Sequence, residues 1–421
     1  RCNVSTAAPL EGSVDEWLAW QLTLHASEME LGLDRVAEVA RRLGVPLGHG
    51  QRVIVAGTNG KGSCVALIEN LLAEHGRVGT YTSPHLWRYN ERFRLDGEPV
   101  SDARLLSAFR AVEAARGDTG LTFFEYGTLA ALWLFDDQAV DFAVLEVGLG
   151  GRLDAVNIVD ADVALITNIG LDHIDWLGDD RESIGHEKAG VMRTERPALC
   201  CDRQPPASLI AHAQSIGARL ECIGDAFDIE ADVDGWRFFR GPHTRRLHPT
   251  SGVLADNLAG ALAAVDALTG ALPEAQSIEK ACCAQARLPG RRERVDGTVA
   301  IIYDVAHNAE AVAVLADELA EQPAAGCTHI VLGMLADKPV ETVVSHLEKV
   351  ADRFYFAGLD TLGSRGLAAR DLAARVGVEG GCFDSPAAAL AAACHASQVG
   401  DRIVVCGSFL TVAHARRPMP S

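Results

Sequence analysis

The 421-residue sequence contains no long hydrophobic run and no segment typical of a secreted or membrane protein. Its longest apolar runs, such as residues 129–135, are far shorter than the roughly 20 residues that span a bilayer. Residues 1–12 contain no extended apolar stretch of the kind that a secretory leader carries. We therefore predict a cytoplasmic protein with no membrane partner.

Paired cysteine motifs are also missing. The chain has 11 cysteines, an odd number, with no CxxC pair, and two of its cysteine pairs are adjacent residues, Cys200–Cys201 and Cys282–Cys283. This pattern is unsuitable for a disulfide framework and fits reduced thiols. No Cys/His cluster has the spacing of a zinc site. The sequence therefore argues against a disulfide or zinc scaffold.

Basic residues are in deficit, since 38 Lys and Arg face 57 Asp and Glu, which gives a formal net charge of −19. Nucleic acids and anionic membranes attract proteins with a basic face, so neither is expected as a partner. A small-molecule substrate is favoured instead. An anionic one, such as a nucleotide, would need a locally positive site and a metal ion.

The first half of the chain alternates short apolar runs with longer amphipathic ones. Strands are predicted at 53–56, 78–81, 142–147 and 163–167, a helix at 65–75, and one upstream helix from about Val14 to Leu43. Apolar strands separated by helices are typical of a parallel sheet that is covered on both faces. A small antiparallel insertion is predicted within residues 223–247.

A second α/β series begins after the turn Leu288-Pro289-Gly290-Arg291-Arg292. Its strands are predicted at 299–303, 329–332, 353–356 and 402–406. A chain of this length favours two domains, and the Pro-Gly pair marks a turn where the pattern restarts. We predict an N-terminal domain over residues 1–288, a linker at 289–293 and a C-terminal α/β domain over 294–421.

A glycine-rich loop is the strongest local signal. The predicted strand 53–56 leads into Gly57-Thr58-Asn59-Gly60-Lys61-Gly62-Ser63 and then into a helix. Glycines let backbone N–H groups approach phosphate oxygens, the helix N-terminus adds positive potential, and Lys61 reaches the terminal phosphates. The loop differs from the standard P-loop in its spacing, because only two residues separate Gly57 from Gly60. It nevertheless predicts a phosphate-binding site.

Such a loop needs magnesium, which prefers oxygen ligands. Glu146 ends a predicted strand, where the active sites of parallel sheets form, and is either a metal ligand or a group that anchors a loop. For His173, which is flanked by Asp172 and Asp175, the local sequence by itself favours a structural role. The two acids would nevertheless be able to orient the histidine or to bind magnesium through water. For Lys188, the local sequence by itself favours an exposed lysine on a helix.

In the second half, Asp304, His307 and Asn308 directly follow a predicted strand. Ligands bind at strand ends in open α/β sheets. Asp304 or Asn308 is equally able to cap the following helix. The residues alone leave these two interpretations open.

Together these stretches resemble the folylpolyglutamate synthase and dihydrofolate synthase family over nearly the whole chain. The segments that carry the resemblance are 31–36, 56–63, 82–86, 122–128, 146–155, 288–291, 304–308 and 406–409. The resemblance implies a P-loop-type, mostly parallel ATPase domain with a small β insertion, followed by a Rossmann-like α/β domain. Arg292 is a departure, because the family usually carries an apolar residue there.

The resemblance also implies roles for individual residues. Phosphate contacts fall on Thr58, Asn59, Gly60, Lys61, Gly62 and Ser63, and further nucleotide contacts on Asn257, Arg291 and Asp304, which places ATP between the two domains. Metal ligands are Ser83, Glu146, His173 and Lys188, for two magnesium ions, and Lys188 is carbamylated. The pterin site is formed by Glu30, Leu31, Gly32, Leu33, Thr122, Phe123, Phe124, Glu125, Leu153, Asp154 and Ala155. Catalytic candidates are Lys61, Lys188 and His307.

The implied reaction is an ATP-driven ligation. The carboxylate of dihydropteroate or of a reduced folate is phosphorylated, and the amine of L-glutamate attacks the acyl phosphate. The rivals are a Mur-type cell-wall ligase, a small-molecule kinase or nucleotide hydrolase, and a non-catalytic nucleotide-binding module. A cell-wall ligase usually carries an added N-terminal domain, whereas only about fifty residues precede the loop here. A monomer is expected.

Overall fold

The computed structural model describes residues 7–25, 30–45, 50–233, 235–248 and 252–416. Two compact units are present, one formed by residues 1–249 and 254–282 and the other by residues 250–253 and 283–421. Residues 1–6, on which the absence of a leader was partly judged, lie outside the described ranges. Within those ranges, no helix has both the length and the apolar character needed to cross a membrane.

The first unit is built around an eight-stranded sheet in the order β4-β3-β2-β5-β1-β6-β7-β8. The strands β2, β5, β1, β6, β7 and β8 are parallel neighbours, and the short strands β3 and β4 add an antiparallel edge. The strands are β1 (Gln51–Ala56), β2 (Val78–Tyr81), β3 (Phe93–Leu95), β4 (Glu98–Pro99), β5 (Phe142–Glu146), β6 (Val163–Ile166), β7 (Pro197–Cys200) and β8 (Arg219–Cys222).

Helices cover both faces of this sheet, as the buried, continuously apolar strands require. They are α1 (Val14–Gln21), α2 (Asp34–Leu43), α3 (Lys61–Leu72), α4 (Asp102–Arg116), α5 (Phe123–Asp137), α6 (Ile174–Leu177), α7 (Arg181–Ala189), α8 (Ala207–Ile216), α9 (Ala255–Thr269) and α10 (Ala275–Gln285). The 3-10 turns Tyr89–Arg92 and Ala155–Ile158 join them. Ile54, Leu145 and Ile166 from the central strands lie in one hydrophobic core with Trp17 and Phe109.

The prediction of one helix from Val14 to Leu43 is wrong. Two helices, α1 and α2, occupy this stretch, and the described residues between them are not helical. Gly32, with a φ of +155°, has a backbone conformation that a helix does not contain. Hydrophobic spacing alone does not reveal such an interruption.

The insertion predicted within residues 223–247 is a three-stranded antiparallel sheet in the order β11-β10-β9. Its strands are β9 (Phe227–Asp232), β10 (Gly235–Arg240) and β11 (His243–Leu247). Phe238 on the central strand is fully buried, whereas its neighbour Arg237 is exposed. This alternation is what a sheet with one covered face produces.

The second unit contains a six-stranded sheet in the order β12-β13-β17-β14-β15-β16, in which only β12 is antiparallel to its neighbour. The strands are β12 (Glu293–Val295), β13 (Ala300–Tyr303), β14 (Thr328–Leu332), β15 (Arg353–Ala357), β16 (Gly380–Phe383) and β17 (Arg402–Cys406). The helices are α11 (Ala309–Glu321), α12 (Val340–Leu347), α13 (Ala369–Val376), α14 (Pro386–Ala396) and α15 (Phe409–Ala415). The predicted α/β class is thus confirmed in both units.

Parallel pairing decides where the polar segments meet. Because β2, β5, β1 and β6 run in the same direction, the segments that follow them leave from one edge of the sheet. These segments are 82–86, 147–155, 57–60 and 167–173. The first unit therefore brings the predicted phosphate loop and the predicted metal ligands Ser83, Glu146 and His173 to a common edge.

Candidate active site

The loop Gly57–Ser63 is held by the segment that follows β6. Thr58 N–H donates to the Asn168 carbonyl at 2.9 Å, and Asn59 N–H donates to the Asn168 side-chain oxygen at 2.7 Å. Thr167 Oγ1 donates to the Asn59 carbonyl at 2.6 Å. Two adjacent residues of one strand end thus fix the backbone of the loop, a role that sequence reasoning missed although both follow a predicted strand.

Two glycines let neighbouring groups approach this loop. A Cβ built on Gly57 would lie 1.8 Å from Thr167 Oγ1, and a Cβ built on Gly60 would lie 2.6 Å from Asn257 Oδ1. Both glycines have positive φ, +143° and +82°. The loop is therefore specified by close packing as well as by backbone conformation. Asn257, predicted as a nucleotide contact, is buried against Gly60.

Lys61 is the first residue of α3, whose N-terminus has no side-chain cap. Its Nζ donates to the carbonyls of Gly57 at 3.0 Å and of Thr58 at 3.2 Å. The first turn of a helix leaves N–H groups without acceptors inside the helix, so an uncapped start suits an anion. The ammonium and the helix start therefore supply positive potential at one loop.

Glu146, the last residue of β5, is only 3% exposed and lies against the loop that follows β2. Its Oε2 accepts the backbone N–H of Ser83 at 3.2 Å. Two of the predicted metal ligands are therefore adjacent. The same contact satisfies the alternative interpretation, in which Glu146 anchors a loop.

His173 lies at the N-terminus of the four-residue helix α6, with a φ of +52°. It is exposed, and its backbone N–H donates to Asp172 Oδ1 at 2.8 Å. The histidine therefore lies outside the hydrophobic core, on the segment that follows β6. Asp172 fixes the backbone at this position.

Lys188 is 3% exposed, so the interpretation of an exposed helical lysine is wrong. It lies four residues after the buried Ile184 on α7, and residues with this spacing share one helix face. The end of α7 contacts the loop after β5, since Arg152 N–H donates to the Glu187 carbonyl at 2.8 Å. The charge pattern of α7 did not indicate which of its faces is covered.

The segments predicted to bind the pterin also converge. Gly32 N–H donates to the Leu153 carbonyl at 3.3 Å, and a Cβ built on Gly148 would lie 2.6 Å from the ring of Phe124. Thr122 caps α5 in a reciprocal capping box with Glu125. The buried Glu125 carboxylate also accepts from Arg35 Nε at 3.0 Å, which ties α5 to α2. Arg35 is a positioning group that sequence reasoning missed.

Asp154 is a buried carboxylate within this group of segments. Its two oxygens accept the N–H groups of Leu149 and Val156, each at 2.9 Å. Burial raises the pKa of Asp154 to about 6, although these backbone donors and the ammonium of Lys61 favour the charged form. Lys61 therefore acts electrostatically on the predicted pterin site as well as at the phosphate loop.

In the second unit, the open question of the helix cap is resolved. Asn308 caps α11, because its Oδ1 accepts the Ala311 N–H at 3.0 Å. Asp304 instead accepts the N–H groups of Arg292 at 3.0 Å and of Ala306 at 2.7 Å. Its carboxylate is therefore held by the turn that begins the unit and by the segment after β13.

Phe409 connects two other predicted residues of this unit. The guanidinium of Arg291 lies 4.9 Å from the Phe409 ring centre, and the His307 ring lies 6.4 Å from it on centroids. His307 Nδ1 lies 2.8 Å from the Val305 carbonyl, which can only accept, so Nδ1 carries a proton. Phe409 was part of a matched segment but received no role from the sequence.

The two halves of the chain match two family descriptions. Residues 55–198 match the Mur ligase middle domain, and residues 290–409 match the Mur ligase, glutamate ligase domain. The phosphate loop lies in the first match, and Arg291, Asp304 and His307 lie in the second. Fold and site therefore define a ligase of the Mur type.

Similar proteins show which family of Mur-type ligases the chain belongs to. The dihydrofolate synthase/folylpolyglutamate synthase of Escherichia coli strain K12 is 44% identical over 94% of this chain and 93% of its own length. A structure of E. coli FolC in complex with DHPP and ADP is 43% identical, with a TM-score of 0.92 over 97% of each chain. A bifunctional folylpolyglutamate synthase/dihydrofolate synthase with Mn, AMPPNP and L-glutamate bound is 41% identical, with a TM-score of 0.90 over 97% of this chain and 98% of its own. The chain belongs to the dihydrofolate synthase/folylpolyglutamate synthase family.

Proposed function

We propose that the protein is an ADP-forming ligase that adds L-glutamate to dihydropteroate, forming dihydrofolate, and to reduced folates, forming folylpolyglutamates. The observation that carries this proposal is the similarity, over almost the whole chain, to dihydrofolate synthase/folylpolyglutamate synthases. The convergence of the predicted pterin segments, in which Phe124 packs against Gly148 and Gly32 bonds to Leu153, supports it. A kinase, a hydrolase or a cell-wall ligase does not require a pterin site.

The proposed chemistry has two displacements. A carboxylate oxygen of the acceptor attacks the γ-phosphorus of ATP, the bond to the bridging oxygen breaks, and ADP leaves. The amine nitrogen of L-glutamate then attacks the acyl carbon, loses a proton, and phosphate leaves. Lys61 and the start of α3 would neutralise charge on the transferring phosphoryl group, and exclusion of water would protect the acyl phosphate from hydrolysis.

Thr58, Asn59, Gly60, Gly62 and Ser63 would complete the contacts to the ATP phosphates. Asn257 in the first unit is a further proposed nucleotide contact, and Arg291 and Asp304 are the proposed nucleotide contacts in the second unit. His307 has its Nδ1 proton directed at the Val305 carbonyl. We propose His307 as a catalytic group of the second unit.

The residues present fit magnesium. Glu146 and Ser83 supply oxygen atoms at a strand end, and magnesium is commonly bound by one or two carboxylates together with substrate phosphates. Among the described residues, no group of three or more His, Cys, Asp or Glu side chains forms a complete metal site, which fits an ion that uses phosphate oxygens. Two magnesium ions, held by Ser83, Glu146, His173 and Lys188, would supply positive charge opposite the phosphates.

We also propose that Lys188 is carbamylated. An ammonium buried to this degree is costly, whereas a carbamate is an oxygen ligand suited to a second magnesium ion. Incubation with 13C-labelled bicarbonate should give a carbamate NMR signal in the wild-type protein that Lys188→Ala lacks. Short carboxylic acids should restore part of the turnover of that variant. Absence of both effects would contradict the modification.

The decisive experiment measures ADP release from purified protein with ATP, magnesium and L-glutamate, in parallel with dihydropteroate and with reduced folates. We expect turnover with each acceptor and little ADP release when glutamate or the acceptor is omitted. A lack of turnover with dihydropteroate removes the dihydrofolate synthase half of the proposal. ADP release that ignores glutamate indicates a kinase or hydrolase.

The pterin segments can be tested with the same assay. Phe124 packs against Gly148, and Thr122 and Glu125 fix the start of α5. We therefore expect Phe124→Ala to raise the KM for dihydropteroate more than the KM for ATP. Equal increases in the two KM values would argue against a pterin site here.

The predicted monomer can be tested separately. A single-chain mass in light scattering would support it.

A further inference from the structure

Arg292 has an unusual conformation for its residue type. Its φ is +52°, in the left-handed region that costs free energy for a residue with a side chain. Its side chain is only 10% exposed, although arginine is rarely buried without a charged partner. The backbone and the side chain are therefore both held by specific contacts.

Those contacts join two carboxylates. The backbone N–H of Arg292 donates to Asp304 Oδ2 at 3.0 Å, and Nε lies 3.9 Å from the same oxygen. Its Nη1 lies 2.7 Å from Oε2 of Glu318 on α11. A single residue therefore lies between an acid that follows β13 and an acid on the next helix.

The two carboxylates repel each other. Burial raises the pKa of Glu318, the charge of Asp304 raises it further, and the guanidinium of Arg292 lowers it. Without the guanidinium, two partly buried negative charges would face each other and would tend to move apart. Arg292 therefore holds Asp304 in place.

We propose that Arg292 is a positioning residue for the nucleotide, acting through Asp304. It fixes one carboxylate oxygen with its backbone and offsets the repulsion from Glu318 with its side chain. Ala306 N–H holds the other oxygen, so the orientation of Asp304 is fully determined. This inference depends on the proposed function, in which Asp304 contacts ATP.

A double-mutant cycle separates positioning from general stabilisation. We expect Arg292→Met to weaken ADP binding, measured by calorimetry, by about tenfold, a typical coupling between charged neighbours. In an Asp304→Asn background the same substitution should have almost no further effect on ADP affinity, because the carboxylate that Arg292 positions is absent. Unchanged ADP affinity in Arg292→Met, or full additivity in the double variant, would overturn the inference.

Glu318 provides a second test. In the Arg292→Met background, Glu318→Gln should restore part of the lost ADP affinity because it removes the repelling charge. A purely structural ion pair would show such a rescue in the melting temperature but not in the ADP affinity. Arg294→Met is the matched control, since Arg294 is half-exposed on β12 and pairs with Asp296. It should bind ADP as the wild type does.

Chemical rescue gives a readout that does not depend on methionine packing. A cavity of about 460 Å³ is bordered by both Arg292 and Glu318. Millimolar methylguanidine should therefore reach the site in Arg292→Ala and restore ADP affinity, whereas uncharged methylurea should not. If Arg292→Met does not fold, Arg292→Lys, which keeps the charge, should show intermediate affinity. An ADP affinity in Arg292→Lys as low as that in Arg292→Ala would overturn the inference.

The outcomes separate the two proposals. If the wild-type protein does not bind ADP, the proposed function fails before Arg292 is considered. If the wild type binds ADP and Arg292→Met binds it equally, only the positioning role fails. The melting temperatures of all variants show whether each effect arises in the folded state.

Discussion

Asn168 accepts the backbone N–H of Asn59 through its side-chain oxygen at 2.7 Å, so a residue after β6 fixes the loop after β1. We expect Asn168→Ala to raise the KM for ATP by about tenfold, because a lost hydrogen bond of roughly 1 kcal/mol also releases the loop. Asn70→Ala is the control, since Asn70 bonds only to Ala66 of its own helix among the described hydrogen bonds. Equal KM values for the two variants would contradict this role.

Gly57→Ala should abolish nucleotide binding. The added Cβ would lie 1.8 Å from Thr167 Oγ1, at a φ of +143°. Gly217 also has positive φ, but open space surrounds it. Gly217→Ala should therefore cost roughly 1–2 kcal/mol of stability and leave turnover intact. Calorimetry with ADP measures nucleotide binding, and urea unfolding measures the free energy of unfolding. Nucleotide binding by a folded Gly57→Ala protein would refute the packing argument.

Lys61→Ala should reduce turnover by on the order of 1,000-fold, because a charged donor directed at a transferring phosphoryl group is lost. The melting temperature should change little, since Lys61 Nζ donates to loop carbonyls, those of Gly57 and Thr58, rather than packing in the core. Lys280→Ala, at an exposed position of α10, controls for the loss of one positive charge. Wild-type turnover in Lys61→Ala would remove the loop from the mechanism.

Asp154 should make stability depend on pH. Its pKa rises from an ordinary 3.8 to about 6, so the folded protein binds an extra proton between these values. The contribution of Asp154 to the free energy of unfolding is then full below 3.8 and is lost as the pH rises through about 6. Relative to Asp154→Asn, the wild type should lose on the order of 3 kcal/mol at most across this range. Urea unfolding at several pH values measures the difference, and parallel pH curves would contradict the shift.

The sequence was sufficient for the fold where one physical signal dominated. The continuous apolar runs of β1, β5 and β6 have one stable solution, a covered parallel sheet, and the glycine loop follows directly from β1. The interruption between α1 and α2 was missed because it depends on backbone conformation at Gly32. The burial of Lys188 was missed because it depends on which face of α7 the neighbouring segments cover.

Contacts between distant segments were the least predictable part of the site. The pairing of Arg35 with Glu125 joins residues 90 positions apart, and no periodicity indicates it. The contact between Arg292 and Glu318 likewise requires the turn, the strand and the helix to be assembled first. Sequence patterns located the strand ends, whereas folding determined which side chains meet there.

The contact of Gly60 with Asn257 has an evolutionary consequence. A methyl group at position 60 would lie 2.6 Å from the Asn257 side chain, although almost two hundred residues separate the two positions in sequence. A larger residue at position 60 should therefore be accepted only together with a smaller residue at position 257. We expect positions 60 and 257 to covary in an alignment of the family, because their side chains must fit together sterically.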